Sequence, residues 1–262
     1  MNPLVIVPTY NERDNIERLI RSIVKHNAEV HILVVDDGSP DGTASEIARL
    51  QAEPKLAPRL HLLNRIKKEG LGRAYISGFE WALERRYDSV IEMDADLSHD
   101  PIYISPLIEA AEHADVVIGS RYVNGISVVN WPLRRILLSW SANQYVRLIT
   151  GLLVNDCTSG FRLYRRNVLE RVDLPGVTSN GYSFQVEMSF RAYCAGFRIV
   201  EVPIIFTERR AGQSKMSKRV IAESFIVPIQ LRLRRGKLTR QLNGQNAELA
   251  SYDDIHSRFS SP

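Results

Sequence analysis

Residues 89–99 read Ser89-Val90-Ile91-Glu92-Met93-Asp94-Ala95-Asp96-Leu97-Ser98-His99, a short apolar run that stops at two carboxylates one residue apart. An apolar run of this length with polar bounds predicts a buried strand, here Ser89 to Met93. The same unit recurs upstream. Leu4 to Val7 predicts a strand ending at Pro8-Thr9-Tyr10-Asn11-Glu12, and His31 to Val35 one ending at Asp36-Asp37-Gly38-Ser39-Pro40. Leu60 to Leu63 and Val116 to Ile118 predict two more, the latter ending at Gly119-Ser120-Arg121.

Helices are predicted between them. Ile16, Leu19, Ile20, Ile23 and Val24 recur at i, i+3, i+4, i+7, i+8, which predicts an amphipathic helix over 14–26. Thr43 to Gln51, Leu71 to Arg86 and Pro101 to His113 predict three more. Strands alternating with helices of this length specify an α/β layout with a mostly parallel sheet. Ligands of such sheets sit at the carboxyl ends of the strands. Four polar strand ends are therefore predicted on one rim.

The second half is less regular. Leu133 to Ile149 and about Phe184 to Ala195 predict helices; Gly160 to Tyr164 and Ile199 to Phe206 predict strands. Lys215 to Arg235 predicts a helix interrupted near Pro228, and the polar sequence after Gln241 predicts a mobile tail.

An isolated Asp-x-Asp is more often a solvated acidic turn. Asp94 and Asp96 follow an apolar strand beside three other polar strand ends, a placement suited to a hard divalent cation, Mg²⁺ or Mn²⁺, held through oxygen. Such a cation binds a diphosphate and neutralises charge on its departure. Asp37 is placed to accept hydrogen bonds from a nucleobase or ribose. Tyr10 and Glu12 add an aromatic face and a further carboxylate. No Gly-x-Gly-x-x-Gly follows the first strand and no Gly-x-x-x-x-Gly-Lys-Ser/Thr occurs, which leaves Rossmann dinucleotide binding and P-loop chemistry unsupported. The six histidines form no ligand cluster in the sequence and read as surface residues.

Two scattered cysteines, Cys157 and Cys194, give no disulfide framework, and Cys194 reads as a small core residue. No apolar stretch reaches the roughly 18–20 residues needed to span a bilayer, and Leu4 to Val7 is too short for a signal peptide. The expectation is a cytoplasmic chain, peripheral on the cytoplasmic face of a membrane. Net charge is +4, with basic residues concentrated in 132–147 and 209–240. That distribution suits phosphate or anionic lipid. The clustered carboxylates speak against nucleic acid, whose phosphates they would repel.

Pro8 to Glu12, Asp36-Asp37 with Ser39 to Thr43, Asp94 to His99, Gly119 to Tyr122, Asn130-Trp131-Pro132, Ser159 to Arg162 and Glu208 to Lys215 stand in one order over residues 3–220. In that order they resemble the polyprenyl (dolichyl) phosphate mannose synthases, inverting members of glycosyltransferase family 2 with the GT-A fold. The first three motifs are common in family 2; Asn130-Trp131-Pro132 and Arg209 to Lys215 are more specific to lipid-phosphate acceptors. The resemblance implies a GT-A domain over 1–240, with membrane-proximal helices near 131–150 and 215–240, and a polar tail over 241–262. It implies mannose transfer from GDP-mannose to a polyprenyl phosphate. Asp96 would be the main metal ligand, with Asp94 and, in place of the family's frequent Gln, Ser98. Pro8, Tyr10, Glu12, Val35, Asp37 and Ala95 would hold the nucleoside. Arg121, Arg135 and Ser139 would meet the acceptor phosphate, and Arg209 and Lys215 would close over the diphosphate.

A phosphate monoester has a second pKa near 6, so it is mostly dianionic at neutral pH and needs no general base. Cations that bring two anions together are needed instead. Residues Leu133, Ile136, Leu137, Trp140, Tyr145, Leu148 and Ile149, with Arg134, Arg135 and Arg147 nearby, have the composition of an in-plane interfacial helix. Packing on the core is the plainer alternative for that helix. Two rival functions stay open at this stage: another donor such as UDP-glucose or UDP-N-acetylglucosamine, and a non-catalytic membrane-surface nucleotide-binding module. The resemblance also leaves room for a membrane-anchoring protein partner.

Overall fold

The structure, a computed structural model, describes residues 1–208 and 218–259, with side chains described for 1–208 and 223–244. The first half alternates as expected: β1 (Pro3–Thr9), α1 (Arg13–His26), β2 (His31–Asp36), α2 (Thr43–Gln51), β3 (Leu60–Asn64), α3 (Leu71–Glu84) and β4 (Ser89–Glu92). A 3₁₀ turn at Pro101–Tyr103 leads into α4 (Ile104–Ala110), then β5 (Val116–Ser120). The second half supplies β6 (Val128–Val129), α5 (Leu133–Thr150), β7 (Arg162–Arg165), α6 (Arg166–Arg171), α7 (Gly181–Cys194), β8 (Ile199–Pro203), β9 (Phe206–Thr207) and α8 (Lys218–Phe259).

Seven strands form one sheet in the order β3-β2-β1-β4-β7-β5-β8. Every neighbouring pair is parallel except those of β7, which runs antiparallel between β4 and β5. That reversal matters for function. It brings the chain entering β7, Thr158-Ser159-Gly160-Phe161, to the rim where the parallel strands end. β6 and β9 pair apart from the main sheet.

Period-two alternation divides the core. Leu4 and Ile6 of β1 face a layer with Leu33, Val35, Tyr75, Phe79, Tyr164 and Phe184. Val5 and Val7 face the other, with Ile16, Leu19, Ile20, Ile47 and Leu50. Both layers are buried, so the strands read as continuous apolar runs. Full burial of such a side chain stabilises by about 1.5–3 kcal/mol, against about 1 for a helix cap. Packing therefore decides these elements. Consistent with that, neither α1 nor α3 has a side-chain hydrogen bond at its N-cap. Gly78 of α3 lets that helix approach β1, since a Cβ there would lie 2.8 Å from the Ile6 methyls.

Three expectations change. The strand predicted over 199–206 is split, because the chain leaves β5 after Pro203 and resumes pairing with β6 at Phe206. The break predicted at Pro228 does not occur; α8 runs through it with the proline buried. The expected boundary at 240 is also missing. α8 continues to Phe259, Leu242 is wholly buried, and the Gln241 amide donates to Asp173 at 3.2 Å. A single apolar anchor in a polar stretch gives too weak a periodic signal to register in sequence. Both cysteines are free and buried.

Candidate active site

The register sets the rim. Thr9 is level with Asp36, and the Met93 N–H donates to the Ile6 carbonyl, so the ends of β1, β2 and β4 lie side by side. Gly119 donates to Phe161 at 2.8 Å, which draws the β5 end to the β7 entry. Between them lies a cleft lined by Asp94, Asp96, Ser98, His99, Arg121 and Arg135, with Trp131, Tyr182, Phe206 and Thr158 to Gly160 completing its walls. The two carboxylates thus share one cleft with Arg121 and Arg135, two of the three predicted arginines.

Leu97 has φ +63°, a left-handed kink that turns the chain back on itself after Asp96. The Ser98 main-chain N–H and hydroxyl then donate to Asp96 Oδ1, at 3.1 and 2.6 Å. Ser98 is buried, and its hydroxyl orients the carboxylate beside it. Asp94 sits against Gly160, where a Cβ would come within 3.6 Å of its carboxylate. His99 is a correction to the surface reading of the histidines. It is 2% exposed, its ring stacks on Phe161 at 5.0 Å, and Nδ1 accepts from the Asp94 N–H at 3.2 Å. Burial holds its imidazole down at about 4, against the pull of Asp96.

Arg121 is not a loose cation. Its Nε and Nη2 donate to the two oxygens of Asp156 at 2.6 Å each, and its N–H donates to Oδ2 at 3.0 Å. Burial would raise the Asp156 carboxyl, but the Arg121 charge and hydrogen bonds hold it below the usual carboxylate range. Arg135, on the first turn of α5, ion-pairs with Glu208 and lies 4.0 Å from the Trp131 ring centre. Ser139 does not line the cleft; its hydroxyl accepts from the Tyr122 hydroxyl at 2.8 Å, one residue behind the wall.

The enclosed part of the cleft measures about 70 Å³. At roughly 10–15 Å³ per water that is space for about five to seven waters. Beside it lie the β1 and β2 ends, the side expected to hold a nucleoside. There Asp36 is structural, accepting from Thr9 and Ser39, while Asp37 pairs with Arg65 at 2.6 Å. Burial raises the Asp37 carboxyl, and Arg65 opposes it. Lys68 lies 3.9 Å from the Tyr10 ring centre. Pro8 and Glu12 are half-buried on the same rim. Val35 and Ala95 are buried in the two core layers, so only their main chain can face a ligand. Arg209 and Lys215 lie outside the described residues.

Glu208 stands in the Glu208 to Lys215 motif with no role assigned to it there; sequence reasoning missed Asp156, Arg65 and Lys68. None carries a local signal, because each is defined by a partner distant in sequence. Among the described residues no group of three or more His, Cys, Asp or Glu could hold a metal. The two hard oxygen donors, Asp94 and Asp96, would suit a hard divalent cation, which would need further oxygen donors from substrate or water. That is the open arrangement a phosphate-bridging cation needs.

The Glycosyl transferase family 2 signature matches residues 4–173. The chain is 49% identical over 241 residues to polyprenol monophosphomannose synthase of Mycolicibacterium smegmatis, covering 90% of this chain and 89% of that one. It is 47% identical over 226 residues to undecaprenyl-phosphate mannosyltransferase of Micrococcus luteus, covering 86% and 92%. The fold is shared with glucosyl-3-phosphoglycerate synthase of Mycobacterium tuberculosis, solved with Mn²⁺, UDP and glucosyl-3-phosphoglycerate. There the TM-score is 0.62 at 19% identity, covering 89% of this chain and 79% of that one. A mostly parallel sheet with its polar strand ends gathered on one rim is the GT-A arrangement, and the chain belongs to glycosyltransferase family 2.

Proposed function

We propose that the chain moves mannose from GDP-mannose to a polyprenyl phosphate at an anionic membrane surface, releasing GDP and forming a β-linked lipid phosphate sugar. The observation that carries this reading is one cleft with an acid pair on one wall and Arg135 on the other. The β1 and β2 ends beside it suit the nucleoside, with Tyr10 and Asp37 as its partners. Asp94 and Asp96 would hold Mg²⁺ or Mn²⁺, which when bound neutralises diphosphate charge. Arg135 and, through its edge, Arg121 offer guanidinium donors to the acceptor phosphate. Arg209 and Lys215 supply further cations to the diphosphate. The dianionic acceptor attacks without a base, and attack opposite the leaving GDP inverts an α donor to a β product. The names of the two relatives, a monophosphomannose synthase and a mannosyltransferase, favour mannose over glucose or N-acetylglucosamine.

The membrane part rests on α5 and α8. No described helix is long and apolar enough to cross a membrane. Yet α5 turns small and polar positions inward, Asn143, Val146 and Thr150, and leaves Leu133, Leu137, Leu138, Trp140 and Leu148 exposed. α8 buries Leu231, Leu238 and Leu242 and exposes Phe225, Ile226, Ile229 and Leu233 on its opposite side. The two helices meet where the Tyr145 hydroxyl donates to the Phe225 carbonyl at 2.8 Å. Exposed Arg134, Arg232, Arg234, Lys237 and Arg240 border these faces. Apolar faces ringed by basic groups suit an anionic leaflet, each charge contributing about 1 kcal/mol.

The test is direct. Labelled GDP-mannose, Mn²⁺ and polyprenyl phosphate in anionic vesicles should yield a mild-acid-labile mannolipid, with UDP-glucose and UDP-N-acetylglucosamine inert. Asp96→Asn should abolish it. A mannolipid made at near-normal rate by Asp96→Asn, or a product from the UDP sugars alone, defeats the reading.

A further inference from the structure

Two arginines reach the cleft, and their carboxylate partners differ in kind. Arg121 and Asp156 are 6% and 0% exposed and locked by three hydrogen bonds. Arg135 and Glu208 are 32% and 34% exposed, joined through Arg135 Nη1 and Glu208 Oε1. Glu208 is delivered by the main chain: its N–H donates to the Val129 carbonyl at 3.2 Å, extending the β6–β9 pairing beside Asn130-Trp131-Pro132. The Arg135 guanidinium also lies over the Trp131 ring, 4.0 Å from its centre. Arg135 therefore already holds an anion that solvent reaches.

We propose that Glu208 sets acceptor specificity by occupying Arg135 with a carboxylate that a phosphate monoester displaces and a phosphate diester does not. This rests on Arg135 meeting the acceptor phosphate. A protein docked on a leaflet through α5 meets diester head groups in large excess over any monoester lipid. A bare guanidinium binds either class through paired N–H···O bonds. With Glu208 in place, a diester only exchanges one monoanion for another and gains nothing. A monoester dianion brings a second charge and a third terminal oxygen. Specificity then comes from a competing group built into the protein.

The assay uses the full chain with GDP-mannose, Mn²⁺ and farnesyl phosphate in neutral detergent micelles, with phosphatidylglycerol as the diester competitor. Glu208→Gln keeps the shape and removes the charge. Its KM for farnesyl phosphate should fall about fivefold, the equivalent of a partly exposed ion pair. Phosphatidylglycerol should inhibit Glu208→Gln at concentrations that leave the wild type untouched, and Glu208→Asp should stay resistant. An unchanged or raised KM in Glu208→Gln overturns the proposal, as does equal inhibition of wild type and variant. Calorimetric binding of GDP with Mn²⁺ separates the two levels. A wild type that binds GDP yet makes no mannolipid sinks the functional reading; one that makes mannolipid but is inhibited like the variant sinks only the role of Glu208.

Discussion

Replacing Asp156 by Asn tests whether the cleft is held by a buried ion pair. The substitution preserves volume and removes one charge. Asp156 accepts three hydrogen bonds from Arg121, at 2.6, 2.6 and 3.0 Å, and is 0% exposed. An amide keeps one acceptor oxygen and turns an N–H₂ group toward a guanidinium. The local backbone should stay in place, because Glu201 accepts from the N–H groups of Asn155 and Asp156 at 2.8 and 2.9 Å. Removing one partner of a buried pair costs about 3–5 kcal/mol. For a chain of this size that lowers Tm by roughly 6–20 °C. The sign with pH follows from the depressed Asp156 carboxyl. Its stabilisation is present above the ordinary carboxylate value and is lost as pH falls through the lower folded value. Urea denaturation should therefore show a constant gap between wild type and variant from about pH 6 to 8, closing below about pH 4. Converting both partners, Arg121→Met with Asp156→Leu, should cost less stability than Asp156→Asn alone. A single variant within about 1 kcal/mol of wild type at neutral pH refutes the argument.

Three other outcomes follow from the same packing. Glu92 is 0% exposed beneath Asp94, hydrogen-bonded by Gln185 at 2.7 Å, and burial pushes its carboxyl up to about 8 despite Arg162. Stability of the wild type in metal-free buffer should thus fall as pH rises from about 4.5 to 8, by up to about 5 kcal/mol, and Glu92→Gln should lack that decline; parallel curves would contradict it. Gly78→Ala forces a methyl to 2.8 Å from Ile6, and chemical denaturation should register a loss of about 1–3 kcal/mol. Leu137→Glu with Leu148→Glu, at sites 54% and 83% exposed, should leave Tm unchanged yet reduce sedimentation with anionic vesicles at least tenfold; retained sedimentation would return α5 to an ordinary surface helix.

How much of this was legible in the sequence depends on the range of each interaction. β1, β2 and β4 are apolar runs with polar ends, and both the runs and the rim they build are local signals. β7 is four residues long and its antiparallel direction is set by neighbours on both sides, so nothing within it announces the reversal. Asp156 carries no local signal because its arginine lies 35 positions away, and Glu208, although inside a motif, shows no role there because Arg135 lies 73 positions away. His99 reads as a surface residue until Phe161 and Phe206 close over its ring. The tip motifs were legible as a site; the carboxylates that neutralise its arginines were not.

α5 shows why periodicity without burial is ambiguous. Its apolar spacing suits either a core helix or an interfacial one. The fold turns the leucines away from the core, because Asn143 and Thr150 occupy the wholly buried positions. Arg135 lies on the first turn of this same helix, between exposed Leu133 and Leu137. A lipid phosphate held by Arg135, as proposed, would leave its tail beside an apolar surface instead of in water. On the proposed function, one helix would tie the charge that meets the acceptor head to the surface that tolerates its chain, and moving either off α5 would break that link while leaving the nucleotide side intact.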